Sequence, residues 1–172
     1  MSEEVITTAV QIHPDTFVHF QSNLTGHITF DEGCVVHPLA KINAGTGSIV
    51  FGKFNIVEER AEITNCIPGH TLIIGDENMF EVGSRCNATK IGDRNVLGQR
   101  CVVGENVILT DGCVIGAKCE VLEHGELPKQ TAVYGAENNR RVTGSLPQSL
   151  QLHTQFLRQK LPKFGYAYKR TS

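Results

Sequence analysis

The chain has 172 residues, 18 acidic and 16 basic side chains, and a formal net charge of −2. That balance, with no basic cluster before the tail, lacks the phosphate-neutralising footprint of a nucleic-acid binder. No apolar run approaches the roughly 20 residues that span a bilayer, so direct membrane insertion is not expected; the acidic start, with Glu3 and Glu4, has no signal-peptide zones and makes the cytosol the expected compartment.

From Ile12 onward, bulky apolar residues recur every six positions. Ile12, Val18, Leu24, Phe30, Val36 and Ile42 make the first run. Phe51, Val57 and Ile63 make the second, and Ile74, Phe80 and Cys86 the third. Ile91, Leu97, Val103, Leu109, Ile115, Val121, Leu127 and Val133 complete the series, so all twenty openings are apolar in a chain that is 40% hydrophobic. A fixed short period of this kind reads as a parallel β-helix. Each hexad is a short strand and a turn. Side chains alternate along a strand, so the fifth position of one hexad and the first of the next both point inward. Three hexads close one three-sided coil. Twenty hexads give about seven coils, a rod of roughly 30 Å at the strand spacing of ~4.8 Å.

Small residues dominate the fifth position, among them Ser22, Cys34, Ala40, Ala61, Ser84, Cys101, Cys113 and Cys119. Cysteine acts there as a small hydrophobe. With no CxxC in the chain, the six thiols are expected to be reduced core residues. Gly33, Gly83 and Gly112 fall at the fourth position, where the chain must turn tightly.

The rhythm slips three times. Ile42 to Phe51 and Ile63 to Ile74 are too long, and Cys86 to Ile91 is too short. Assigning hexads to sides in rotation puts all three breaks at one corner. Insertions in repeat proteins collect on one face, often the binding face, which nominates Gly45–Ser48, Asn65–Ile73 with His70, and Thr89–Lys90.

The same rotation stacks Asn55, Asn78 and Asn95 inside one side of successive coils, a structural amide ladder in which each side chain satisfies its neighbour. On the outside it aligns His19, His37, Glu58 and Glu81. Such a column could contact a metal, but parallel strands aim their side chains alike, so a solvated or partner-covered stripe is the preferred reading. Phe20, Phe54 and Met79 are outward apolar residues and further contact candidates.

Beyond Tyr134 and Gly135 the period ends. Residues 1–142 are assigned to the β-helix and 143–172 to a C-terminal amphipathic helix with a basic-aromatic tail containing Lys163, Lys169 and Arg170. Ser145, Leu146 and Pro147 read as the helix start. Leu146, Leu150, Leu157 and Leu161 follow helical spacing, predicting about four turns, with Leu150, Leu157 and Leu161 as contact residues.

Two enzyme classes use this fold: hexapeptide acyltransferases and gamma-class carbonic anhydrases. None of the seven histidines stands in a recognisable acyltransferase context, and the HxxxxH spacing of the zinc enzymes is absent. No catalytic residue, cofactor or metal ligand is assigned.

The stretches Ile56–Ala61, Asn78–Gly83 and Asn106–Gly116 carry a closer resemblance. So does the exit from the coil through Val133–Ala136, Arg140–Val142, Pro147–Leu152 and Leu161–Pro162. The chain resembles the dynactin subunit 6 family, hexapeptide-repeat subunits of the dynactin pointed-end complex. It departs from the family's pattern in a shorter Asn65–Ile73 loop. The resemblance implies a left-handed β-helix and a non-catalytic structural role supporting dynein-driven transport and cargo attachment. Implied partners are dynactin subunit 5 as a heterodimer, subunit 4, the pointed-end actin-related protein and dynein cargo adaptors. The implied place is the cytoplasmic cytoskeleton, extending to the centrosome or kinetochore.

Overall fold

A computed structural model describes residues 5–168; Lys169 and Arg170 of the tail lie outside them. The chain winds as a parallel β-helix of about seven turns, and the hexad openings define its three faces. Face one stacks Ile12, Phe30, Phe51, Ile74, Ile91, Leu109 and Leu127 in direct register. Face two stacks Val18, Val36, Val57, Phe80, Leu97, Ile115 and Val133. Face three stacks Leu24, Ile42, Ile63, Cys86, Val103 and Val121.

These columns are the core. Every opening residue is buried except Ile12, which sits half-buried in the first coil. Burying a side chain of this size stabilises by about 1.5–3 kcal/mol relative to leaving it exposed, so the six-residue period is itself the main source of cohesion. Phe30 and Phe51 stack with ring centroids 4.6 Å apart.

Turns fall at the fourth hexad position, in the left-handed backbone region. Gly33, Gly83 and Gly112 adopt φ of +68° to +75° there, but Leu39, Phe54, Arg60, Glu77, Arg94, Arg100, Asn106, Lys118 and Gln130 adopt the same conformation. The periodic hydrogen bonding of the coil imposes the turn on residues that disfavour it by roughly 1–2 kcal/mol each.

The three irregular breaks all lie between faces three and one. Two of them extend strands around that corner or project from it: Lys41–Phe51 runs continuously across both faces, joining faces one and three into one hydrogen-bonded sheet. Face two forms a separate sheet.

Sheet edges are treated unequally. At the last coil, Asn139–Val142 folds back antiparallel on Thr131–Tyr134 and closes face two. At the first coil the tail closes the other end of the same face. Phe20 N–H donates to Tyr166 O at 2.8 Å, Tyr168 N–H donates to Val18 O at 2.6 Å, and His19 bridges Ala167. Among the described residues, faces one and three receive no such closing strand.

The C-terminal helix, α1, spans Gln151–Lys160 and continues as a 3-10 turn over Leu161–Lys163. It starts later than Ser145–Pro147, the start expected from the sequence. Residues 143–150 are instead held outside any helix or strand against the coil: Thr143 N–H donates to Gln130 O, Arg94 donates to Pro147 O, and Glu77 accepts from the Ser149 hydroxyl and from Leu150 N–H. A segment whose backbone and side chains are satisfied by the coil has no need to close helical hydrogen bonds of its own.

Candidate functional site

The inner ladder comes first, because it sets the corner on which the outer surface rests. Asn55, Asn78 and Asn95 are fully buried on successive coils. Asn55 Oδ1 accepts from Asn78 N–H at 2.9 Å and Asn78 Nδ2 at 3.0 Å. Asn78 Oδ1 accepts from Asn95 in the same way, and Asn95 Oδ1 accepts from Cys113 N–H at 2.8 Å. The remaining amide protons go to the carbonyls of Gly75, Gly92 and Thr110. Beside the ladder, Asp76, Asp93 and Asp111 each accept a backbone N–H from the preceding coil. Gly75 allows this, since a Cβ there would lie 2.1 Å from Asp93 Oδ1.

The outward column of histidines and carboxylates lies on face two, and the structure does not leave it open. His19 is 4% exposed, enclosed by Phe17, Phe20 and the tail at Gly165. Its Nδ1 accepts from Gln21 N–H at 3.1 Å. Burial, then the neighbouring His37, pushes its pKa down. His37 is also buried, with Nδ1 3.1 Å from Glu59 Oε1. Glu58 accepts from Val82 N–H and Glu81 from Gln99 N–H, so both carboxylates cap turns. Burial pushes the Glu58 carboxyl up. Among the described residues, no three His, Cys, Asp or Glu side chains converge as a metal-binding group.

Phe54 and Met79 differ from their expected outward exposure. Phe54 is half-buried over Gly33, where a Cβ would lie 2.3 Å from its ring. Met79 is half-buried in a column that sequence reasoning missed. On face two the residues just before the openings are Phe17, Val35, Ile56, Met79, Val96, Val114 and Ala132, all apolar although they point outward. Val35 and Ile56 are 0% exposed. The equivalent positions of face three include Asn23, Lys41, Glu62 and Arg85. The signal was present in the sequence as a second apolar position that is unbroken only on every third hexad; face one interrupts it with Gln11, Thr29, Lys90 and Glu126.

That column is the seat of the C-terminal segment. Helix α1 packs on the strand Val35–Val36, with Thr154 buried and Leu150, Leu157 and Leu161 half-buried. The segment runs down the coil from Gln130 past Arg94 and Glu77 to Asp15, whose carbonyl accepts from Arg158 at 2.9 Å. Phe20 remains 48% exposed, its ring 6.1 Å from Tyr166.

At the irregular corner, His70 is engaged rather than free. Its Nε2 lies 2.9 Å from Thr89 O, and its carbonyl accepts from Asn65 Nδ2 and Ser48 N–H. The three breaks are thereby knitted into one stack of loops.

A coil of stacked hexads carrying a structural ladder, with its histidines packed rather than converging, defines the class: a hexapeptide-repeat β-helix with one outer face covered by its own C-terminal segment. Residues 88–123 match the bacterial transferase hexapeptide (six repeats) family. A hexapeptide transferase family protein from Anaplasma phagocytophilum shares the fold, with a TM-score of 0.68 at 9% identity over 90% of each chain. Dynactin subunit 6 of Xenopus tropicalis is 40% identical over 94% of this chain and 86% of its own length. That of Danio rerio is 38% identical over 94% and 88%. The chain belongs to the dynactin subunit 6 family.

Proposed function

We propose that this chain is a non-catalytic structural subunit of a dynactin complex, within the pointed-end subcomplex that supports dynein-driven transport along microtubules. The observation that carries the reading is identity of 40% over 94% of the chain, a span that takes in much of the C-terminal segment as well as the generic hexads. The proposed partners are subunit 5 as a heterodimer, subunit 4, the pointed-end actin-related protein and cargo adaptors, in the cytoplasmic cytoskeleton. Faces one and three support an obligate heteromer: their terminal strands, Ala9–Ile12 and Gly125–Leu127 among them, pair on one side only among the described residues. Unpaired strand edges invite a partner. The transferase likeness, at 9% identity, concerns fold alone, because function resides in sites rather than folds.

Affinity purification from cell extract tests the proposal. Subunits 4 and 5 and the actin-related protein are expected to co-purify in stoichiometric amounts. Bound zinc with carbon dioxide hydration, and no dynactin components, would overturn it in favour of an enzyme. A monodisperse lone monomer would remove the obligate heteromer.

A further inference from the structure

Charge is segregated along this chain. All 18 acidic residues precede residue 138, whereas the last 35 residues hold seven of the 16 lysines and arginines. Within the described part, Arg158 and Lys160 end α1 and Lys163 ends the 3-10 turn. None of the three pairs with a carboxylate among the described residues. Arg158 donates instead to the carbonyls of Thr154 and Asp15, and the Lys160 ammonium lies 5.8 Å from the Phe156 ring centroid. The helix dipole accounts for cations in the last turn, but not for what lies among them. Leu152 is 80% exposed, Phe156 54%, Phe164 84% and Tyr166 81%. The other side of the same segment is already committed to the coil through Glu77, Arg94, Asp15 and Val18.

We propose that the outward surface of this C-terminal segment docks an acidic protein segment bearing large apolar side chains. Unpaired cations interspersed with exposed aromatics match such a partner in charge and in apolar contact. The segment is held against the coil at several points, so little conformational entropy is lost when it binds. A bilayer fits less well. The exposed positions of α1 include Gln151, His153, Gln155 and Gln159, which break the continuous apolar face that interfacial helices require. A second copy fits less well too, because a two-fold contact places the same patch on both sides and would set these cations against each other. The inference goes beyond dynactin membership and does not depend on it.

The test uses the full chain and a fluorescein-labelled peptide of repeated Glu-Leu-Glu-Phe units. Saturable binding by anisotropy is expected, weakening as salt is raised. An all-glutamate peptide and a peptide with lysine replacing glutamate should each bind at least tenfold more weakly. The double variants Leu152→Ser/Phe156→Ser and Lys160→Glu/Lys163→Glu should each lose at least tenfold, with unchanged circular dichroism. If the serine pair fails to fold, Phe164→Ser replaces it. Equal affinity for the all-glutamate peptide, or insensitivity to these variants, overturns the proposal. So does sedimentation with phosphatidylserine vesicles, or self-association, that disappears in the serine variant while peptide binding is absent.

Discussion

Asn78 and Asn95 face the same way inside adjacent coils, and one carbonyl oxygen joins them. Asn78 Oδ1 accepts Asn95 N–H at 2.9 Å and Asn95 Nδ2 at 3.0 Å. Neither donor can reach water, since both residues are 0% exposed.

Replacing Asn78 with Leu therefore leaves two Asn95 donors and the Gly92 carbonyl without partners. A buried polar group left unsatisfied costs about 1–3 kcal/mol, so the expected loss is roughly 3 kcal/mol or more. Urea unfolding checks it: the midpoint should fall sharply. A midpoint within error of the parent would show that the ladder contributes nothing net.

The tail is seated through Gly165, where a Cβ would lie 2.1 Å from His19 Nε2. Gly165→Ala should lift Tyr166–Tyr168 from the first-coil edge of face two. Hydrogen exchange at Phe20 N–H, now bonded to Tyr166 O, is expected to accelerate at least tenfold, while exchange at Val36 stays slow. Unchanged protection of Phe20 would contradict this seating.

His19 also makes stability depend on pH. Burial lowers its folded-state pKa below the ordinary value of 6.5, so the unfolded chain binds the extra proton first. The stabilisation is complete above about pH 6.5 and declines as pH falls toward the folded-state pKa. Glu58, held above 4.5, has the opposite sign, favouring the folded state as pH falls through its raised pKa toward 4.5. Melting temperatures from pH 7.5 to 5 should fall in the parent and fall less in His19→Asn, whose amide oxygen can still accept from Gln21 N–H. Parallel curves for the two proteins would remove His19 from the account.

The six thiols are free and differ in reach. Burial pushes Cys34 up to about 11 and Cys86 and Cys101 up to about 12. Cys66 is only half-buried. Because the thiolate is the reactive form, iodoacetamide at pH 8 should label Cys66 in the folded protein and all six only after denaturation. Early labelling of Cys86, read by mass spectrometry, would contradict the packed core.

Much of this architecture was legible because a β-helix repeats one local solution. The openings from Ile12 to Val133 named the core directly, and the rotation by three put Asn55, Asn78 and Asn95 on one face. The three slips located the irregular corner for the same reason. Legibility failed where the chain leaves the repeat. Asn139–Val142 carries no periodic signal because an antiparallel closing strand needs only a free edge to pair with. Leu146 and Pro147 obey helical rules, yet Arg94 and Glu77 from distant coils bind their neighbourhood and the helix begins only at Gln151.

His19 shows the same limit from the surface side. Its position directly after the inward opening Val18 says outward, and outward reads as exposed until something covers it. Sequence alone determined the coil, its faces and its ladder, because each follows from side-chain alternation over six residues. Only the tertiary structure decided what lies on those faces. The C-terminal segment returns over more than a hundred residues of sequence to cover Val35 and His19, leaving its own cations and aromatics as the free surface. That choice depends on contacts between residues far apart in the chain, such as Arg158 with Asp15, and no local pattern encodes them.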